Sequence, residues 1–167
     1  LLAREAGIEI SEARLEVLSK RGSTFLTRRF DRVPGGKRCH FASAMTMLGR
    51  IDGDDAASGA SYLELADFLV RHGSRPREDL RQLWKRIVFN IAVSNTDDHL
   101  RNHGFLLESH GWRLSPAYDL NPSPDNRGLA LAIDENNNSL DFELALSVSP
   151  YFRLSPAEAR EAMREVI

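Results

Sequence analysis

The feature that most constrains this chain is a long apolar stripe that runs directly into a block of polar residues. Leu80, Leu83, Trp84, Ile87, Val88, Ile91 and Ala92 keep the i, i+3, i+4, i+7 spacing of one helix face, while Glu78, Arg81, Gln82 and Lys85 fall on the others. A face that wide belongs inside a core, so the remaining elements must pack around it. Ser94 and Asn95 compete with the backbone for hydrogen bonds; they end the helix and deliver Thr96 to Asn102 as a loop.

The other elements are legible from the same kind of signal. Leu1 to Ala6 reads as a helix end stopped by Gly7. Ala13 to Ser19 and Ser23 to Phe30 read as a hairpin joined at Lys20-Arg21-Gly22, ending at Val33-Pro34-Gly35-Gly36. Phe41 to Leu48 and Tyr62 to His72 have helical patterns, separated by the acidic loop Asp52 to Gly59. Gly104 to Leu107 and Trp112 to Leu114 make two short strands around His110-Gly111. Asn136 to Asn138 form a polar turn, and Leu140 to Val148 a short helix capped by Ser139. Ser155-Pro156-Ala157-Glu158 opens a last helix with a capping box and a first-turn proline. The fold class is α+β and mostly helical.

At 167 residues and 42% hydrophobic, the chain suits one substantial core, or a main domain with an incomplete smaller one. A net charge of -2 provides no overall basic footprint for nucleic acid, so any such contact would be local or made through a partner. No apolar run approaches the roughly 20 residues that span a bilayer, no leader pattern opens the chain, and Cys39 alone can form no internal disulfide. These features point to a soluble, cytoplasmic protein with no membrane association. A start at Leu1 and a helical pattern still running at Ile167 point to a piece of a longer protein.

Phosphoryl transfer needs a carboxylate near the attacking hydroxyl and hard oxygen ligands that hold magnesium across nucleotide phosphates. Protein kinases place an aspartate and, five residues on, an asparagine on one catalytic loop, with a metal-binding aspartate after the next hairpin. Asp97, Asn102 and Asp119 reproduce that order. Asp98, adjacent to Asp97, is expected at the surface, because neighbouring side chains cannot both enter one site. His99 would contact phosphate or hold the loop by hydrogen bonds. His99 and His103 stand four apart, as a helical zinc pair would, but Gly104 and the expected loop argue against it. A metal-dependent hydrolase using Asp97, His99, His103 and Asp119 is the weakest alternative.

Three segments together resemble the HipA family of kinases: Asn95-Thr96-Asp97-Asp98-His99-Leu100-Arg101-Asn102, Gly111 to Leu120 with its Ser115-Pro116-Ala117-Tyr118-Asp119, and Phe25 to Arg32 with its Arg29-Phe30-Asp31-Arg32. The resemblance implies a protein-kinase-like C-terminal lobe over residues 34–167, preceded by a small-lobe remnant and hinge over residues 1–33. It implies catalytic roles for Asp97 and His99, magnesium ligands in Asn102 and Asp119, and an ATP contact at Arg28, Phe30 and Asp31. It further implies a serine/threonine protein substrate and a small DNA-binding antitoxin as partner, the chain being part of a toxin kinase.

A glycine-rich loop and a strand lysine, which such kinases use to grip phosphate, are not recognisable here; Gly35-Gly36-Lys37 lacks the phosphate-loop frame and reads as a turn. By itself this material is expected to be inactive, and a non-catalytic pseudokinase-like module that binds an antitoxin or another protein is the alternative. Sheet edges left open by an absent lobe would invite a homodimer.

Overall fold

The computed structural model describes residues 2–33, 35–124 and 128–167; the expected helix position at Leu1 and the expected breaker Pro34 lie outside them. The order of elements is α1 (Leu2–Glu5), β1 (Ala13–Ser19), β2 (Gly22–Thr27), β3 (Phe41–Ser43), α2 (Ala44–Met47), α3 (Tyr62–His72), α4 (Pro76–Ala92), β4 (Gly104–Glu108), β5 (Gly111–Leu114), α5 (Phe142–Ser147) and α6 (Pro156–Val166). Short 3-10 turns occupy Ala56–Ser58, Leu100–Asn102 and Ser149–Phe152. Helix outweighs strand, as the sequence pattern requires.

Helix α4 passes through the middle of the core. Leu80, Leu83, Trp84, Ile87 and Val88 are fully buried against Tyr62, Leu65 and Leu69 of α3 and against Ala145, Phe152, Ala159 and Ala162 at the C-terminal end. The Trp84 indole donates to the Ala145 carbonyl at 3.0 Å, so a buried polar atom is satisfied within the packing. Lys85, on a face other than the apolar stripe, is buried all the same. It is 3% exposed, and its ammonium donates to the Gly7 carbonyl at 2.9 Å and Glu165 at 3.1 Å. The reason lies outside α4, because α1 and α6 close over that face. Ala3, Ala6 and Ile8 pack with Phe89 and Ala117, so the N-terminal residues lie against the helical body.

Among the described residues there are two small sheets. β1 and β2 form an antiparallel hairpin, with Ala13 opposite Thr27 and Leu15 opposite Phe25. β3, β4 and β5 form a second antiparallel sheet in that order, with Ser43 opposite Gly104 and Phe105 opposite Leu114.

The segment Phe41 to Leu48 is therefore not one helix. Its first three residues pair with β4, and Ser43 then caps α2 by accepting from the Thr46 amide at 3.2 Å. Pairing across the sheet overrides the helical spacing, and the Phe41 ring occupies the space a side chain on Gly104 would need. Helix α5 likewise takes its cap from Asp141, which accepts from the Glu143 amide at 2.8 Å, in place of the expected Ser139. At α6 the capping box of Ser155 and Glu158 forms as the sequence predicts. Among the described residues, no helix is long and apolar enough to cross a membrane.

Candidate functional site

Two stretches of backbone build the site. The first leaves α4, where the Asn95 amide donates back to the Asn90 carbonyl at 2.8 Å. The His99 amide then donates to the Asp97 carbonyl at 3.0 Å and the Asn102 amide to the His99 carbonyl at 2.9 Å. The Asn102 side-chain nitrogen donates to the Asp97 carbonyl at 3.0 Å. Asp97 and Asn102 are thus joined in one tight turn, with Asp97 exposed and Asn102 6% exposed.

The second stretch, Ser115 to Asp119, leaves β5. The Ser115 amide donates to Gly104 at 2.8 Å and the Ala117 amide to Glu9 at 2.7 Å. The Tyr118 hydroxyl donates to the Arg101 carbonyl at 2.8 Å, which ties this stretch to the first. Asp119 follows with φ of 57°, the left-handed region that few residues other than glycine adopt. Such a position costs about 1–3 kcal/mol and persists only where neighbours hold it. One Asp119 oxygen accepts from the Asn121 side chain at 2.6 Å.

The donor set suits a hard cation. The amide nitrogen of Asn102 is committed to the Asp97 carbonyl, so its oxygen is the atom not spent on the turn. Asp97 and Asp119 are both exposed carboxylates on the two joined stretches. Oxygen donors of this kind fit magnesium better than zinc. The zinc alternative fails on His103, which is 1% exposed and bound through Nε2 to Asp98 at 2.8 Å. A cleft of about 150 Å³ lies between Asp97, His99 and the acidic loop containing Asp52 and Asp54. Arg101 pairs with Asp52 across it at 2.7 Å. A larger cavity of about 550 Å³, beside Ile91, Ser94 and Leu140, holds none of the expected site residues.

The expected nucleotide contacts are arranged differently from one another. The Arg28 amide is spent on the Glu12 carbonyl at 2.8 Å, and its side chain reaches Glu12 only at 3.5 Å with both groups exposed. Phe30 stacks on Tyr118 with ring centres 5.7 Å apart and tilts against Phe41 at 5.5 Å, so the segment around Phe30 is attached to the stretch carrying Asp119. Asp31 accepts a two-pronged contact from Arg29 at 2.8 and 2.7 Å and a third from Arg32 at 2.6 Å. The Arg29 hydrogen bonds outweigh partial burial and, with the charges of both arginines, lower its carboxyl from the ordinary 3.8 to about 2.

Asp98 overturns its expected place at the surface. It is 1% exposed, and one oxygen accepts from Tyr62 at 2.5 Å, Asn90 at 2.6 Å and His103 at 2.8 Å. Burial pushes its carboxyl up, but the His103 interaction, the Tyr62 bond and the nearby Arg86 charge together hold it below the usual range. Arg86 is itself buried and lowered to about 10, chiefly by desolvation. Its terminal nitrogen donates to the Ser115 carbonyl at 2.5 Å. The sequence signal for these residues was Asn90, a polar side chain beside the apolar stripe, which implies a buried partner.

Comparison with known proteins bears on the family and the fold. The model of the HipA-like C-terminal domain matches residues 1–167. "Putative kinase Y4mE" of Sinorhizobium fredii is 30% identical over 122 residues, covering 69% of this chain and 29% of that protein. A Haemophilus influenzae protein named "Putative kinase" is 31% identical over 111 residues, covering 60% of this chain and 32% of its own length. The chain therefore spans about a third of the length of these curated relatives.

Among solved structures, the Shewanella oneidensis MR-1 HipA complex with HipB and operator DNA superimposes with a TM-score of 0.79 at 20% identity, over 99% of this chain and 44% of that one. The Helicobacter pylori proinflammatory kinase CtkA superimposes with a TM-score of 0.60 at 13% identity, over 99% and 78%. With the family model matched from end to end and the kinase-like fold shared, this chain belongs to the HipA-like C-terminal domain family.

Proposed function

We propose that the protein carrying this chain transfers the terminal phosphate of ATP to a serine or threonine hydroxyl of another protein, in the manner of a HipA-type toxin kinase. The observation that carries this reading is the closed turn in which Asn102 holds the Asp97 carbonyl, with the Asp119 stretch tied to it through Tyr118. Asp97 orients the acceptor hydroxyl and takes up its proton as the new oxygen–phosphorus bond forms and the bond to the departing ADP breaks. Asn102 and Asp119 supply oxygen to magnesium, which when bound offsets the negative charge of the phosphates. His99 lines the cleft beside Asp97; its backbone amide and carbonyl close that turn, and its ring Nδ1 is buried with no protein partner. Phe30 and Asp31, on the segment stacked against Tyr118, are the nucleotide-facing groups of the hinge.

A small DNA-binding antitoxin is the partner this reading expects, since the similar Shewanella protein is seen with HipB and operator DNA, and the cytoplasm is the compartment where the pair would act. The test is magnesium-dependent phosphate transfer by the intact protein. Asp97→Ala and Asp119→Ala should each lower the rate at least a hundredfold, and full activity in either would remove these roles.

A second reading is favoured by the hairpin, where Leu15, Val17, Leu18 and Phe25 are 64 to 78% exposed. Such a face suits a non-catalytic module that holds a protein partner, or pairs with a second copy. Calorimetry with ATP and magnesium separates the two, because a binding module alone needs no nucleotide.

A further inference from the structure

Asp97 and Asn102 are each followed immediately by a member of a buried pair. Asp98 and His103 meet at 2.8 Å, both 1% exposed, and so repeat the five-residue spacing of the two site residues on the inner side of the same loop. Asp98 is buried while Asp97, its neighbour in the turn, is exposed, so the loop holds one carboxylate inward and presents the other outward. The inner anchor is multiply held. Tyr62 at the start of α3, Asn90 in the last turns of α4 and His103 just before β4 all bind one Asp98 oxygen, and Asn90 also accepts from Asn95 at 3.1 Å.

The second half of the site rests on the same charge. Arg86 is buried one turn before Asn90, its field stabilises Asp98, and it donates to the Ser115 carbonyl at the root of the stretch that carries Asp119. Its remaining nitrogens, like the second oxygen of Asp98, have no protein hydrogen-bond partner; the Asp98 charge is met first by His103, and Arg86 adds to it at longer range.

We infer that Asp98, with Tyr62, His103 and Arg86, forms a set of positioning residues that fixes the separation of Asp97, Asn102 and Asp119, and so sets the affinity of the site for magnesium with nucleotide. This deepens the kinase reading above and rests on it. Because buried charges resist removal, the decisive variants are Asp98→Asn, which keeps the shape, and Tyr62→Phe, which keeps the charge and deletes one donor.

Two measurements on the intact protein test the inference: hydrogen exchange at the His99 and Asn102 amides, and the magnesium concentration at half-saturation of ATP binding by calorimetry. In folded Tyr62→Phe, and in Asp98→Asn if it folds, loop exchange should quicken at least tenfold, with the Leu69 and Ile87 amides unchanged, and the magnesium midpoint should rise at least fivefold. Asp97→Asn should leave loop exchange at the wild-type rate.

Wild-type exchange in Tyr62→Phe would overturn the inference. So would faster exchange with an unchanged magnesium midpoint, which would reduce the network to a fold element. A wild-type protein that binds no ATP with magnesium at all would instead overturn the kinase reading beneath it, and the positioning role with it.

Discussion

Tyr118 donates its hydroxyl to the Arg101 carbonyl at 2.8 Å, and this bond joins the stretch bearing Asp119 to the turn bearing Asp97 and Asn102. The phenol is half-buried, and desolvation raises it to about 12, so it remains a donor throughout the neutral range. Tyr118→Phe keeps the stacking on Phe30 and deletes only the bond. We expect a loss of about 1 kcal/mol in denaturant unfolding and, under the kinase reading, a magnesium requirement several times higher.

Gly104 shows how the sheet supports the aromatic group of Phe30, Phe41 and Tyr118. A methyl group there would enter the space of the Phe41 ring, which itself touches Phe30 and neighbours Tyr118. Gly104→Ala should displace that ring and cost about 1–3 kcal/mol, the usual range for overpacking. Near-ultraviolet circular dichroism would register the disturbed aromatic group, and an unchanged spectrum with unchanged stability would contradict the packing described.

Trp84 carries the centre of the core. It is fully buried on α4 and also donates to Ala145, so Trp84→Ala removes both a large apolar volume and a satisfied bond. The expected cost is about 3–5 kcal/mol. Trp84→Phe should lose distinctly less, since it retains most of the volume; chemical denaturation of the three proteins gives the comparison.

Asp31 makes a prediction about acid. Its carboxyl is lowered in the folded chain from the ordinary 3.8 to about 2 by Arg29, with Arg32 adding to the effect. A lowered carboxylate contributes stability that is fully present above the unfolded value and disappears as pH falls through the folded value. The contribution should therefore fade between about pH 4 and 2. Asp31→Asn should lower stability at neutral pH and show a shallower decline across that window, measured by thermal unfolding at a series of pH values. Solvent and salt screen this pair, so raised ionic strength should narrow the gap between the two proteins.

Much of the candidate site is readable in the sequence because its signals are local. The spacing from Asp97 to Asn102, the helix ahead of it and the hairpin before Asp119 all concern residues close together in the chain. The capping box of Ser155 and Glu158 and the span of α3 from Tyr62 to His72 were legible for the same reason. Such features depend on the backbone's own periodicity and on hydrogen bonds within a few residues.

What the sequence by itself determined was the buried helix, the order of the site residues and the family they resemble. Only the tertiary structure decided that Asp98 turns inward, that Lys85 and Arg86 are buried, and that Phe41 to Ser43 joins a sheet. Each of those outcomes depends on partners distant in the chain: Tyr62 for Asp98, Gly7 and Glu165 for Lys85, Ser115 for Arg86 and β4 for Phe41. A charged or polar side chain can enter a core only where such partners repay its lost hydration, and no local pattern records whether distant segments will meet there.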